Sequence, residues 1–185
     1  MSTDNNRKKR GRGGNRNRQQ TKRTNKENQP KKVEEKSPLQ YVTGDMLTEN
    51  KVKAYAIPCN IEGVINTQLM VRFRDKYPNM AVEYTRMCEA SEFQPGGIFL
   101  WKELRDNMCI FNVGIYQDQF LTLVDRKEVE NAFHEMRRLV DQEGIDSIAM
   151  PPIGGGLGAL RWDSARRSLE KAFRGWNGVI YVYVK

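Results

Sequence analysis

Apolar positions recur three or four residues apart in four stretches of this chain, and this spacing predicts four α-helices. Residues at such intervals lie on one face of a helix, and the stretches cover residues 65–77, 80–90, 126–143 and 163–173. The pattern is clearest over 126–143, where Gly144 supplies a typical helix end. Each helix is apolar on one face only, so each needs a second layer to cover that face.

Short apolar runs between these helices predict six β-strands. Runs that are apolar on both faces are typical of strands in a parallel sheet that is buried on both sides. Such strands, alternating with one-faced helices, indicate an α/β fold, a three-layer α/β/α domain with a mostly parallel mixed sheet, which we place at residues 38–185. The predicted strands are residues 39–43, 53–58, 98–101, 108–113, 145–150 and 179–184.

The first part of the chain lacks this pattern and carries all of the excess positive charge. Residues 1–36 contain thirteen Lys or Arg and four Asp or Glu, whereas residues 37–185 contain eighteen and nineteen, so the net charge of +8 divides into +9 and −1. After Met1 the basic segment has Val33 as its only large aliphatic residue, and it has no aromatic residue. It buries too little apolar surface to offset ordering entropy, so residues 1–37 are predicted to be a disordered basic tail.

The tail has the composition of a segment that binds RNA or DNA without reading bases. Its basic residues are interleaved with Gly, Asn and Gln, and such a segment neutralises phosphates with steep salt dependence. A solubilising or localisation tail explains the same composition equally well. The candidate nucleic-acid-binding residues are Arg7, Lys8, Lys9, Arg10, Arg12, Arg16, Arg18, Lys22 and Arg23.

The cysteine and histidine content excludes several classes of site. Cys59, Cys88 and Cys109 fit neither a zinc knuckle nor a disulfide framework, which favours a reducing compartment. His134 is the only histidine, so we expect no metal, no cofactor and no histidine triad. No apolar run reaches membrane-spanning length and the start of the chain lacks an apolar signal core. We therefore expect no membrane partner and a cytoplasmic location, in the host cytoplasm for a viral protein, with the nucleus as an alternative in a eukaryote.

Residues 151–162, Pro-Pro-Ile-Gly-Gly-Gly-Leu-Gly-Ala-Leu-Arg-Trp, form the most informative segment. Glycines between a buried strand and a helix start let backbone N–H groups converge on an anion, which favours a phosphate-binding loop over a flexible turn. The spacing also fits a dinucleotide fingerprint, but that motif follows the first strand of a βαβ unit. Only one helix and one strand follow this loop, so we assign it to another α/β fold.

Four segments follow predicted strands and are expected at one edge of the sheet. Ligands of open α/β sheets bind beyond the carboxyl ends of the strands. We call this edge the rim. Its predicted segments are residues 44–46, 59–63, 112–114 and 154–158.

Several motifs, taken in order, match one known family over nearly all of residues 39–185. They are Tyr-Val-Thr-Gly-Asp at 41–45, Cys-Asn at 59–60 with Gly63, Arg-Phe-Arg-Asp-Lys-Tyr-Pro at 72–78, Gln-Pro-Gly at 94–96, Phe-Asn at 111–112, and residues 150–158 with Trp162. These segments resemble the macro domain, an ADP-ribose-binding module. The branch they resemble contains the DNA-ADP-ribosyl glycohydrolase antitoxins, the terminal ADP-ribose glutamyl hydrolases and the yeast ADP-ribose 1″-phosphate phosphatase.

The resemblance implies that the ligand is ADP-ribose or an ADP-ribosylated macromolecule. Asp45 would accept a hydrogen bond from the adenine amino group, and Asn60 would contact the distal ribose. Without a ligand, Asp45 is a turn cap and Asn60 a turn-former. Backbone donors of the glycine loop would hold the diphosphate. The implied ligand-binding residues are Asp45, Met46, Asn60, Gly63, Asn112, Gly154, Gly155, Gly156, Leu157 and Gly158.

Three departures separate this chain from the hydrolases of that branch. The glycine-rich segment after the Asn60 equivalent is replaced by Ile-Asn-Thr-Gln at 65–68. The lysine that the hydrolases carry after the Asn112 equivalent is replaced within Ile-Tyr-Gln at 115–117. The aspartate of the glutamyl hydrolases corresponds to Gly158. Neither known glycosidic mechanism therefore transfers directly.

Asn60 and Glu62 are the candidate catalytic residues that remain. Glu62 is the only carboxylate in the first loop, where it is either a general base that orients a water molecule or a solvated surface residue. Two functions follow from this sequence. One is a hydrolase of ADP-ribosyl linkages or of ADP-ribose 1″-phosphate. The other is a non-catalytic ADP-ribose-type reader that its basic tail tethers to RNA or DNA.

Overall fold

Strands and helices alternate along the chain in the computed structural model, which describes residues 37–48, 52–153 and 161–184. The elements are β1 (Leu39–Thr43), β2 (Ala54–Asn60), α1 (Gln68–Lys76), α2 (Pro78–Glu89), β3 (Ile98–Glu103), β4 (Met108–Tyr116), α3 (Arg126–Glu143), β5 (Ser147–Met150), α4 (Trp162–Ala172) and β6 (Val179–Val184), with a 3-10 turn at Met46–Thr48. The predicted order of elements is confirmed. Apart from Ser37, the predicted tail lies outside the described residues.

The six strands form one sheet in the order β1-β6-β5-β2-β4-β3. All neighbours are parallel except β3 and β4, which are antiparallel. This confirms the predicted mostly parallel mixed sheet. Because parallel strands point the same way, the carboxyl ends of β1, β2, β4, β5 and β6 share one edge, which is the predicted rim.

Helices cover both faces of the sheet and bury a separate apolar cluster on each. On one face, side chains of α3 and α4 such as Phe133 and Leu169 pack against alternate strand residues such as Phe111. On the other face, side chains of α1 and α2 such as Phe73 and Tyr84 pack against the intervening strand residues. This confirms the three-layer α/β/α architecture. Each fully buried aromatic side chain contributes about 1.5–3 kcal/mol by leaving water.

Capping side chains fix where the helices begin and end. The Thr67 hydroxyl accepts a hydrogen bond from Met70 N (3.1 Å), so α1 starts at Gln68, later than the apolar spacing predicts. Helix α1 ends at Lys76, just before Pro78, and Pro78 begins α2, because the first turn of a helix needs no proline N–H. Helix α3 keeps its predicted bounds, with a capping box between Asp125 and Glu128 and an end at Gly144. None of the described helices combines the length and apolarity that a membrane span requires.

Strand β4 is three residues longer than the sequence predicts, and this changes which residues reach the rim. The predicted strand ends at Val113, followed by Gly114. Gly114 continues the strand because its N–H donates to Gly97 O (3.0 Å) where a side chain would crowd Gln94 O. Ile115 and Tyr116 then extend it. The prediction that residues 112–114 lie on the rim is therefore wrong, and Gln117 begins the loop there.

Candidate functional site

A cleft of about 440 Å³ opens at the rim, between the ends of the strands and α1. Its lining residues are Gly44, Asp45, Met46, Gln68, Leu69, Arg72, Pro151 and Tyr183. A larger cleft, of about 710 Å³, lies at the opposite edge, where β1, β5 and β6 begin. The smaller cleft is the candidate site, because ligands of such sheets bind at the carboxyl ends of the strands.

Asp45 is held in a fixed position at one end of this rim cleft. Its Oδ1 accepts a hydrogen bond from Leu47 N (3.0 Å), and its Oδ2 lies 2.6 Å from Arg72 Nη2 in an ion pair. The Arg72 guanidinium, together with the Leu47 N–H, keeps the pKa of Asp45 below its ordinary value. The side chain remains 39% exposed. Asp45 is therefore both the turn cap and an accessible, ionised hydrogen-bond acceptor.

Helix α1 braces the Asp45 turn at two points. Lys76 Nζ donates to Leu47 O (3.2 Å), one helical turn after the contact of Arg72 with Asp45. The same ammonium lies 5.2 Å from the ring centroid of Tyr77. Sequence reasoning missed this brace. Its only signal was a pair of basic residues four apart on the polar side of a predicted helix, and that spacing does not identify the partner.

Asn60 closes the first loop, which we define as residues 61–67. Its Nδ2 donates to Val64 O (2.7 Å) and its Oδ1 accepts from Val64 N (3.0 Å). Tyr84 Oη donates to Asn60 O (2.6 Å), and the Asn60 side chain is fully buried. Asn60 therefore forms the turn, as expected without a ligand. Its contact with a ribose stays a prediction.

Gly63 lets the first loop pack directly on α2. Its φ is +77°, and a Cβ at this position would lie 2.9 Å from Cys88 Cβ. Most side chains avoid this backbone region, and here there is also no room for one. Thr85 Oγ1 donates a long hydrogen bond to Gly63 O (3.4 Å). Gly63 thus serves the packing of the loop whether or not a ligand is bound.

The first loop is fastened to a second loop, residues 117–122, through one residue of that loop. Glu62 Oε2 accepts from Gln119 N (2.9 Å), and Asn66 Nδ2 donates to Gln119 O (2.5 Å). Ile61 N also donates to Tyr116 O (3.0 Å). One carboxylate oxygen of Glu62, the candidate general base, is therefore hydrogen-bonded to the second loop.

The second loop is organised by its own carboxylate. Asp118 Oδ1 accepts from Phe120 N (2.9 Å) and Thr122 N (3.1 Å). Hydrogen bonds from Thr122, by side chain and backbone, keep the pKa of Asp118 below its ordinary value. Phe120 stands 67% exposed beside it. We call the region of the two loops the distal end of the cleft. Its two carboxylates, Glu62 and Asp118, both accept hydrogen bonds from loop amides.

Two residues that sequence reasoning associated with the rim are buried inside the sheet. Asn112 Nδ2 donates to Phe99 O (3.2 Å), and its Oδ1 lies 3.7 Å from Cys59 Sγ. Both side chains are fully buried, and burial raises the pKa of the Cys59 thiol above its ordinary value. The amide of Asn112 therefore serves the sheet, and this arrangement does not supply the ligand contact that the resemblance implies.

The remaining predicted ligand residues, Gly154, Gly155, Gly156, Leu157 and Gly158, lie outside the described residues. The flanks of this segment are described. Ile153 is fully buried, and Pro151 lines the rim cleft. At the other flank Arg161 precedes α4, and its carbonyl oxygen accepts from Ser164 N (2.9 Å). Over the described ranges, no group of three or more His, Cys, Asp or Glu is arranged to hold a metal ion.

Among proteins of known function, this chain is similar to two kinds of hydrolase. The DNA ADP-ribosyl glycohydrolase of Thermus aquaticus is 27% identical over 148 residues, which cover 78% of this chain and 41% of that protein. The ADP-ribose 1″-phosphate phosphatase of Candida albicans is 23% identical over 144 residues, 72% of this chain and 92% of that protein. The chain thus spans about two fifths of the glycohydrolase and nearly all of the phosphatase.

Solved structures share the fold. The macrodomain of Thermus aquaticus DarG superposes with a TM-score of 0.69 at 26% identity, over 80% of this chain and 98% of that one. Thermosipho africanus DarTG in complex with ADP-ribose gives a TM-score of 0.69 at 21% identity, over 80% of this chain and 41% of that one. The model of the macro domain family matches residues 56–169, more than half of the chain. The chain belongs to the macro domain family.

Proposed function

We propose that this domain binds ADP-ribose, or the ADP-ribosyl group of a modified macromolecule, in the rim cleft. The observation that carries the proposal is the Asp45 carboxylate, which is ionised, partly exposed and fixed by Leu47 N and Arg72 at one end of the cleft. A carboxylate oxygen has capacity for more than one hydrogen bond. Asp45 therefore accepts from the exocyclic amino group of adenine while it keeps its present partners.

The rest of the ligand follows the rim in this proposal. Leu69 and Tyr183 supply apolar walls beside the adenine. The diphosphate meets the backbone of residues 154–158, whose glycines allow close approach. The distal ribose then points toward the first loop. Support comes from the glycohydrolase and phosphatase relatives and from the protein of the same fold that is known with ADP-ribose.

Between the two functions that the sequence leaves open, the geometry supports a reader best. A general base must orient a water molecule with its carboxylate, and each carboxylate of the two loops already commits one oxygen to loop amides. Glu62 holds Gln119 N, and Asp118 holds Phe120 N and Thr122 N. Where the hydrolases carry a lysine, Ile115 and Tyr116 are buried side chains. Hydrolysis is the second candidate, and the activities named for the relatives favour it.

Calorimetry with ADP-ribose, run beside turnover assays, tests both parts. The turnover substrates are ADP-ribosylated single-stranded DNA, ADP-ribosylated protein and ADP-ribose 1″-phosphate. We expect binding of ADP-ribose with turnover of none of the three. Turnover of any one replaces the reader with a hydrolase. Absence of ADP-ribose binding by a folded protein removes both functions.

A substitution in the glycine loop tests where the diphosphate lies. We expect Gly156→Val to abolish ADP-ribose binding, because a β-branched side chain fills the space where the diphosphate meets the backbone. Thermal denaturation must show a melting temperature close to that of the wild type. Wild-type affinity in the folded variant would place the diphosphate elsewhere.

The basic tail adds a tether to RNA or DNA in this proposal. It carries a net charge of +9 against −1 for the rest of the chain. We expect deletion of residues 1–36 to weaken nucleic-acid binding strongly while ADP-ribose affinity stays unchanged, measured at two salt concentrations. If the truncated protein binds nucleic acid as well as the full chain does, the tail is not the tether.

A further inference from the structure

The exposed face of α4 carries basic side chains that form no ion pair with a carboxylate of the described residues. Arg161, Arg167 and Lys171 are all exposed, and none of them forms an ion pair within 4.0 Å among the described residues, whereas Arg166 on the same helix pairs with Glu170 (3.7 Å). Lys171 interacts with Glu130 only at longer range. Arg167 Nη2 donates to Ser164 Oγ (3.2 Å). Residues 161–174 contain five basic and two acidic residues, although residues 37–185 have a net charge of −1.

Arginines elsewhere on the domain are neutralised by neighbouring acids. On α3, Arg126 pairs with Glu130 (3.0 Å) and Arg138 with Glu135 (2.7 Å). The further pairs are Arg72–Asp45, Arg74–Asp75, Arg86 with Glu83 and Glu92, Arg105–Glu103 and Arg137–Asp141. The face of α4 thus differs from the other basic parts of the described surface in local net charge.

The basic face runs along the whole of α4, from the rim to the opposite edge of the sheet. Ala165, Leu169 and Ala172 bury the other side of the helix. Arg167 and Lys171 are one helical turn apart and so share a face. Eleven residues of helix span roughly 16 Å, with Arg161 at the rim end. A linear polyanion fits this geometry better than a single small anion does.

Two aromatic side chains lie at the rim end of this face. Trp162 Nε1 donates to Tyr41 Oη (3.2 Å), and Tyr41 is 49% exposed. Aromatic rings beside a basic track are the usual platform for the bases of a single-stranded nucleic acid. An anionic membrane or an acidic peptide has no base to stack there.

The other end of the face opens into a groove of about 520 Å³. Arg167 and Lys171 line it together with Ser37 and Pro38. The residues that precede Ser37 in the sequence are the basic segment with a net charge of +9. The groove and the basic segment are thus both features that favour a polyanionic partner.

We propose that the α4 face binds the phosphate backbone of a single-stranded nucleic acid, with a base stacked on the Tyr41–Trp162 pair. This surface lies outside the rim cleft and does not depend on ADP-ribose. It gives the folded domain its own nucleic-acid contact in addition to any contact made by the tail.

The test uses the full chain and an unmodified twelve-residue oligothymidylate, with affinity measured over a range of salt concentrations. Arg167→Gln/Lys171→Gln removes two charges from α4, and Lys127→Gln/Arg138→Gln removes two from the exposed face of α3. We expect the α4 variant to lower the slope of log affinity against log salt by roughly 1.4, at about 0.7 for each lost phosphate contact. The α3 variant keeps the wild-type slope. Equal slopes for the two variants overturn the proposal.

A second variant tests whether bases are bound or only charge. We expect Tyr41→Ser to weaken oligothymidylate binding roughly tenfold, because a stacking ring is lost, and to leave the binding of inorganic polyphosphate unchanged. Loss of both, or of neither, overturns the stacking assignment. Vesicles of anionic lipid that compete as well as the oligonucleotide does overturn the choice of partner. ADP-ribose calorimetry on each variant must match the wild type, which separates this proposal from that for the rim cleft.

Discussion

The two ends of the rim cleft use their polar groups in opposite ways. At the Asp45 end, one partly exposed carboxylate accepts from Leu47 N and pairs with Arg72, and the turn that carries it is braced from α1. At the distal end, Asn60, Glu62, Asn66 and Asp118 all hydrogen-bond to backbone groups of the two loops. The Asp45 carboxylate joins no separate loops and keeps acceptor capacity for a ligand, whereas the polar groups of the distal end connect or close loops, and the Asn60 amide among them is fully buried. We therefore assign ligand recognition to the Asp45 end and support of the loops to the distal end.

The largest effect is expected from filling the space that Gly63 leaves at the distal end. Gly63→Ala combines a strained positive φ with a contact of 2.9 Å to Cys88, so we expect the free energy of unfolding to fall by about 2–4 kcal/mol. Gly144→Ala is the matched control, because Gly144 also has a positive φ (+64°) but no atom within 4 Å of its added Cβ. Urea denaturation measures both. Equal losses would mean that the first loop does not pack on α2 as described.

At the Asp45 end, the expected effect is on binding rather than on folding. Asp45→Ala deletes a hydrogen bond to a charged acceptor, so we expect ADP-ribose affinity to fall about tenfold or more. Asp75→Ala serves as the control, because Asp75 is another exposed carboxylate that pairs with an arginine, Arg74, within α1. Calorimetry compares the two. An unchanged affinity in Asp45→Ala removes the adenine from this end of the cleft.

Substitution of Glu62 shows whether this residue connects the two loops or acts as a general base. Glu62→Gln keeps an oxygen that accepts from Gln119 N, whereas Glu62→Ala does not. We therefore expect the Gln119 amide to exchange with solvent faster in Glu62→Ala only, with ADP-ribose affinity within about twofold of wild type in both. Hydrogen exchange by NMR measures this. If the wild type proves to turn over a substrate, a loss of about a hundredfold in Glu62→Gln identifies a base instead.

The smallest expected effect is a change in the titration of Asp45. Arg72 keeps its pKa below the ordinary 3.8, so the contact contributes stability above that pH and loses it as the pH falls through the lower folded-state pKa. We expect Arg72→Gln to raise the pKa of Asp45 toward 3.8. Arg74→Gln, which removes the ion-pair partner of Asp75 instead, leaves the pKa of Asp45 unchanged. Carbon-13 NMR of the Asp45 carboxyl group measures the shift, and an unchanged pKa in Arg72→Gln would mean that the ion pair is absent in solution.

Periodicity predicted the fold well, because the spacing of apolar residues directly reports which side of each element is buried. It placed α3 at its observed bounds and gave the correct order of all elements. It ended β4 at Val113, three residues early, since Gly114 does not look like a strand residue in the sequence. Burial of the Asn112 amide against Phe99 O depends on the neighbouring strand.

Partners that are distant in sequence account for what could not be predicted at the site. Glu62 and Gln119 are brought together by the sheet, and nothing near either residue encodes the other. The same holds for Asp45 and Arg72. Motif resemblance assigned side chains of these segments to a ligand, and the fold already uses several of those side chains.

The pairing of β1 with β6 has a consequence for how the molecule folds. Leu39 lies opposite Ile180, and β6 is the sole neighbour of β1 in the described sheet. During synthesis, β1 leaves the ribosome early but finds its partner only after nearly all of the domain has been made. The strand that leads into Asp45 is thus ordered late, at the cost of closing a long loop. A substitution that destabilises β6 consequently also delays the ordering of β1, because these two strands pair with each other.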